Sequence, residues 1–207
     1  MGITGKGWGM ARRFVLALTI VLALLAPPVA HAQTTADAIA ADIDAWWRAE
    51  LAARGLPYTS PQLELVSEPG TEFCNFIDVF YAPAGYCSTN QEITVSTGFV
   101  SPDNAAVLLP LISHEWGHHI QNLTDTGAST PLEQELQADC FAGAFIAFAA
   151  DSDWISPVVA AMALQLTQSA GDVWWEGTSD EAIHGTKADR AIAFMAGQSG
   201  GLEACGL

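Results

Sequence analysis

"ISHEWGHHIQ", residues 112–121, is the stretch on which the fold turns. On an α-helix, residues four apart sit about 40° from each other around the axis, one turn up. His114 and His118 therefore share a face and can aim two imidazoles at one point. Glu115 lies beside that face, where its carboxylate reaches the same point from one side. His119 is five residues from His114, about 140° round the helix, and cannot join the pair. It is expected as a surface or hydrogen-bonding residue.

The apolar run before the histidines (Val107, Leu108, Leu109, Leu111, Ile112) makes burial of the pair costly without partners. His114–Glu115–x–x–His118 is the HExxH spacing of zinc peptidases, with two ligands and a carboxylate that meets the attacking water without taking a coordination position. A catalytic zinc usually has a third protein ligand. The next helical stretch, "EQELQAD", offers Glu133, Glu135 and Asp139. Glu135 and Asp139 are four apart. If the two helices pack antiparallel, Glu135 completes a His₂Glu set and Asp139 reaches the free ring nitrogen of a ligating histidine, fixing its tautomer. Glu133 fits a solvated acidic face.

Residues 1–32 have the form of a secretory leader. Lys6, Arg12 and Arg13 precede an apolar run over 14–25, and "AHA" at 30–32 supplies a small-residue cleavage site. The run is well short of the roughly twenty residues of a membrane span. No cysteine follows it to carry a lipid. The expectation is cleavage after Ala32, a secreted or periplasmic location, and one domain over 33–207 with no stable membrane span. The leader holds three of the seven basic residues and none of the 23 acidic ones. So acidic a remainder repels phosphate backbones and excludes nucleic acid as a partner. The oligomeric state is left open.

Cys74, Cys87, Cys140 and Cys205 all lie beyond the leader. An even count in an oxidising compartment suggests disulfides. Cys74–Cys87 brackets a short aromatic loop and is the expected pair, with Cys140–Cys205 its companion. Cys140 lies in an apolar helical run and is alternatively a buried free thiol.

Elsewhere, residues 34–55 place Ile39, Ile43, Trp47 and Leu51 on one helix face, stopped by Gly55 and Pro57. Strands are expected at 63–66, 77–81 and 92–97, the last as an edge strand. Ser101 and Pro102 suit a helix start, and Pro110 either kinks that helix or begins it. Helices follow at 132–150 and 157–168, with a short one near 187–196 after a loop-rich stretch. His184, before Gly185 and Thr186 in a polar turn, is either a surface turn residue or a site residue.

"HEWGHHIQ" followed by "ELQADCFAG" resembles the neutral zinc metallopeptidase family of bacterial exported proteins, and the wider gluzincin pattern of HExxH then ExxxD. "WWRAELAARGLPYTSPQLEL" and "HGTKADRAIAFMAG" are similar to that family's N-terminal and C-terminal stretches. The segments "CNF" and "YCSTN" depart from it, where the family tends to have glycine and proline after the two cysteines. The resemblance implies an α+β, zincin-like fold, mainly helical, with a small antiparallel or mixed sheet forming one rim of the cleft. It implies one zinc ion per chain on His114, His118 and Glu135, with Glu115 as catalytic base and a peptide or protein substrate. His184 would stabilise an oxyanion. The alternative is a catalytically inactive envelope protein that keeps zinc as a structural tie, for which Cys140 is the candidate closing thiolate.

Overall fold

A computed structural model of the chain describes residues 1–2, 34–67, 74, 82–124, 127–171 and 184–207. Contacts divide the chain into Met1–Ala32 and Gln33–Leu207, and the second unit holds every element below. The leader expectation and the strand expected at 77–81 lie outside the described residues. Among the described residues, no helix is long and apolar enough to cross a membrane.

The fold is α+β and mostly helical: α1 (Thr35–Ala53), β1 (Gln62–Val66), β2 (Ala84–Cys87), β3 (Glu92–Ser96), α2 (Ala105–Thr124), α3 (Pro131–Asp151), α4 (Pro157–Ser169) and α5 (Lys187–Ala204). Local chemistry sets the helix ends. Thr34, Thr130 and Thr186 each close a capping box, with Asp37, Glu133 and Asp189 reaching back to the cap N–H. Glu133 is thus an exposed capping residue. α1 ends with Gly55 at φ 69°, where Leu56 N–H donates to Leu51 C=O and Gly55 N–H to Ala52 C=O. A left-handed residue is needed there, and glycine adopts that conformation without strain.

α1 buries Ile43, Trp46, Trp47 and Leu51. Trp47 meets Phe141 of α3 edge-on at 5.4 Å, and Trp46 lies 5.3 Å from Phe145. Such aromatic pairs add about 0.5–1.5 kcal/mol beyond their buried area. α2 begins at Ala105 and runs through Pro110, so the proline neither begins nor ends it.

The place of the last strand, the start of α2 at Ala105 rather than Ser101–Pro102 and the end of the last helix differ from expectation. β3 is the centre of a three-stranded sheet ordered β1-β3-β2, parallel to β1 and antiparallel to β2, and not an edge strand. β2, which was not expected, is an edge. α5 continues past 196 to Ala204, and Gly197 serves packing and not a stop: a Cβ there would lie 1.9 Å from Cys140 O, and one on Gly143 of α3 2.0 Å from Phe194 O. α5 turns out of helical geometry only at Gly201, φ 65°.

Both expected disulfides are present, Cys74–Cys87 and Cys140–Cys205, and no described cysteine is free. The second ties α3 to the C-terminal end of α5. Disulfides are compatible with an exported protein.

A polar chain joins α1, the following loop and α2. Trp116 Nε1 donates to Tyr58 Oη at 3.1 Å, and Tyr58 Oη–H donates to Asp44 Oδ1 at 2.7 Å. Burial raises the Asp44 carboxyl, but bonds from Tyr58 and Ser60 and the Arg48 charge outweigh it and hold it below its ordinary value. Tyr58→Phe should cost about 1–3 kcal/mol at neutral pH, since the buried indole N–H loses its acceptor. A lowered carboxyl pKa contributes stability that is full above the ordinary value of about 4 and is lost as pH falls through the lowered one. Urea unfolding should therefore show the deficit narrowing in acid. A deficit independent of pH would exclude Asp44 from the effect.

Candidate metal centre

α2 and α3 pack antiparallel, since their partners run in opposite senses: His114 with Asp139, His118 with Glu135, Gln121 with Gln134. The contact is close because Gly117 faces Ala138. A Cβ at 117 would lie 2.7 Å from Ala138 Cα and 2.9 Å from its carbonyl oxygen.

At this crossing three donors converge. His114 Nε2 is 3.1 Å from His118 Nε2 and 3.2 Å from Glu135 Oε2, and His118 Nε2 is 3.3 Å from Glu135 Oε1. His114, His118 and Glu135 form a group that could hold a metal ion. Ligand atoms about 2.0–2.1 Å from a tetrahedral ion stand about 3.3 Å apart, so the spacing fits.

The outer face of each imidazole is engaged. His114 Nδ1 is 2.8 Å from Asp139 Oδ1 and donates to it. His118 Nδ1 is 3.0 Å from Gln121 Oε1. Gln121 Nε2 donates to the Gln134 carbonyl at 2.7 Å, which fixes its amide orientation, so His118 Nδ1 must carry the proton. Nε2 is thus the nitrogen that each ring turns inward, and the one that would ligate once unprotonated. Burial disfavours charge on His114, but Asp139, with Glu135 and Glu115, more than offsets this and carries the imidazolium up to about 10. Burial likewise raises Glu135, yet the two histidines pull its carboxyl well below the ordinary range. The carboxylates thus favour positive charge among these donors, as they would a bound cation.

Glu115 is 7% exposed, and burial pushes its carboxyl up. It is not among the three grouped donors but lines the same open cleft of about 1030 Å³. One wall of that cleft is β2 and the residues before it, from Ala82 to Tyr86. The small sheet therefore forms a rim. His184 is exposed and lines the cleft as well.

His119 faces away, as the helix geometry requires, but it is fully buried and not a surface residue. Its Nε2 donates to the Thr59 carbonyl at 2.7 Å, so Nδ1 accepts from Tyr86 Oη at 3.0 Å. Burial lowers its pKa.

Arg190 is the residue that spacing missed. It is 5% exposed and forks onto Asp139, Nε to Oδ2 and Nη2 to Oδ1, both at 2.7 Å. Its position on the face of Phe194 and Gly197, four and seven residues on, was the available signal. A charge on a buried face demands a partner.

No known family profile matches the chain, and no solved structure matches it. Relatives described as uncharacterized proteins occur in Mycobacterium tuberculosis and Mycobacterium bovis, 29% identical over 52% of this chain. The match spans 41% of those proteins, so the chain covers about two fifths of their length.

Gly117→Ala sets two effects against each other. Helix propensity favours alanine by about 1 kcal/mol, whereas overpacking against backbone costs about 1–3 kcal/mol. The contact is with backbone, so the clash should win. Thermal unfolding should show a lower Tm, and the affinity of the three donors for a divalent metal ion should fall as α2 and α3 part. An unchanged affinity would mean the ligands do not depend on this contact.

Proposed function

We propose that the chain is an exported zinc metallopeptidase with a zincin-like fold, related to the neutral zinc metallopeptidase family that "HEWGHHIQ" and "ELQADCFAG" resemble. The observation that carries this reading is the convergence of His114 Nε2, His118 Nε2 and Glu135 within 3.1–3.3 Å, beside buried Glu115, in one open cleft. His114, His118 and Glu135 are the ligands. Bound zinc supplies Lewis acidity that makes water a nucleophile at neutral pH.

The chain's own groups do the rest. Glu115 accepts a proton from the attacking water and passes it to the leaving nitrogen, and its raised pKa suits both transfers. Asp139 and Gln121 keep the imidazoles in the ligating tautomer. His184, on the cleft wall, donates to the developing oxyanion. A peptide pairs with the outer edge of β2, since β3 is enclosed between β1 and β2. The structural-tie alternative called for Cys140 as a closing thiolate. Its bond to Cys205 removes that ligand.

Glu115→Gln should leave about one zinc per chain while peptide hydrolysis falls at least about 10²-fold. Glu135→Gln should lose zinc affinity itself. Metal analysis with a quenched-peptide assay separates the two. If Glu115→Gln emptied the site and Glu135→Gln did not, the two roles would be reversed. If neither altered any hydrolysis, the chain would be no peptidase.

His184→Ala should keep zinc and lower turnover roughly 10²–10³-fold. Unchanged turnover would make it a surface turn residue.

A further inference from the structure

The Asp139–Arg190 pair is buried beneath the metal centre, with Arg190 at 5% exposure and Asp139 at 0%. Arg190 Nε and Nη2 take both carboxylate oxygens, and Nη1 donates to the Ala170 carbonyl at 3.2 Å. A carboxylate alone turns through a broad torsional well at χ2. A two-point guanidinium fork removes that freedom and sets the carboxylate plane. Oδ1 then faces His114 Nδ1 at 2.8 Å and takes its proton, so Arg190 Nη2, 3.3 Å from the same nitrogen, finds no lone pair there to donate to.

The fork itself is delivered on a rigid element. α5 meets α3 at Gly143 and Gly197, where no side chain fits, and Cys140–Cys205 locks its far end one residue along from Asp139. Stability alone does not call for such a pair, because apolar replacements of buried ion pairs are often neutral or stabilising. We propose that Arg190 is a positioning residue of the metal centre, acting through Asp139 to hold His114 Nε2 toward His118 and Glu135. The proposal rests on the metal-binding half of the proposed function and not on peptide hydrolysis.

The test uses the full chain as wild type and as Arg190→Gln, Arg190→Lys, Asp139→Asn and Asp139→Asn/Arg190→Gln. Zinc affinity is measured against a chromophoric chelator, and ligand geometry from the visible absorption of the cobalt(II)-loaded protein. Lysine keeps the buried charge and hence the fold, but it lacks the planar fork. Both single Arg190 variants should bind zinc roughly 10–100-fold more weakly and shift the cobalt spectrum. The double variant should bind no more weakly than Asp139→Asn, because the arginine has lost the group it acts through. Wild-type affinity with an unshifted cobalt spectrum in Arg190→Lys or Arg190→Gln would overturn the proposal. So would a double variant whose loss multiplies those of its two parents, and so would a wild type that binds neither ion. Neither readout uses a substrate, so a chain that binds zinc but cleaves no peptide would still support or overturn the role of Arg190 on these measurements.

Discussion

The approach of α2 to α3 at Gly117 and Ala138 is the constraint from which the rest follows. A methyl group at 117 would collide with backbone, which cannot swing aside as a side chain can. Because the helices are this close and run in opposite directions, the turn carrying His114 and His118 faces the turn carrying Glu135 and Asp139. Four short side chains then meet without stretching. Glycine lowers helix propensity by about 1 kcal/mol relative to alanine, so it is a costly residue in the middle of a 20-residue helix. Close approach explains its presence.

Around that crossing the protein surrounds polar groups with other polar groups. Among the described residues, no buried side-chain nitrogen or oxygen lacks a hydrogen-bond partner. The two sides of α2 show how. Toward α3, His114 and His118 are backed by Asp139 and Gln121. Toward the sheet and α1, His119 is held by Thr59 and Tyr86, and Trp116 by Tyr58. A partly satisfied network in a low-dielectric interior would cost more than an apolar one. Full satisfaction lets a single helix present one histidine to the cleft and its neighbour to the core.

Much of this was legible in the chain. HExxH and ExxxD are local patterns, and 3.6-residue periodicity alone puts each pair on one face. The even cysteine count and the short loop from Cys74 to Cys87 are equally local. What escaped depended on neighbours far along the chain. Arg190 sits on an apolar face, but its partner is 51 residues away and no spacing specifies that distance. Residues 84–87, "AGYC", have little strand preference beyond Tyr86 and gain their conformation from pairing with β3. Alternation in "EITVST" reports the two faces of a strand and says nothing of its place in the sheet, so the edge assignment failed. The glycines after Ala196 look like a helix stop, yet Gly197 is where α5 touches α3.

The order of the elements along the chain has a consequence for the order of synthesis. Domains begin to form as the chain emerges, N-terminal parts first. His114, His118 and Glu135 appear within 22 residues of one another. The guanidinium that Asp139 needs appears only with α5, as does the sulfur that bonds Cys140. A nascent chain stopped between α3 and α5 would carry the three donors and an Asp139 bonded to His114 but still without its guanidinium partner. The finished centre therefore belongs to the docked C-terminal helix as much as to the motif that announces it.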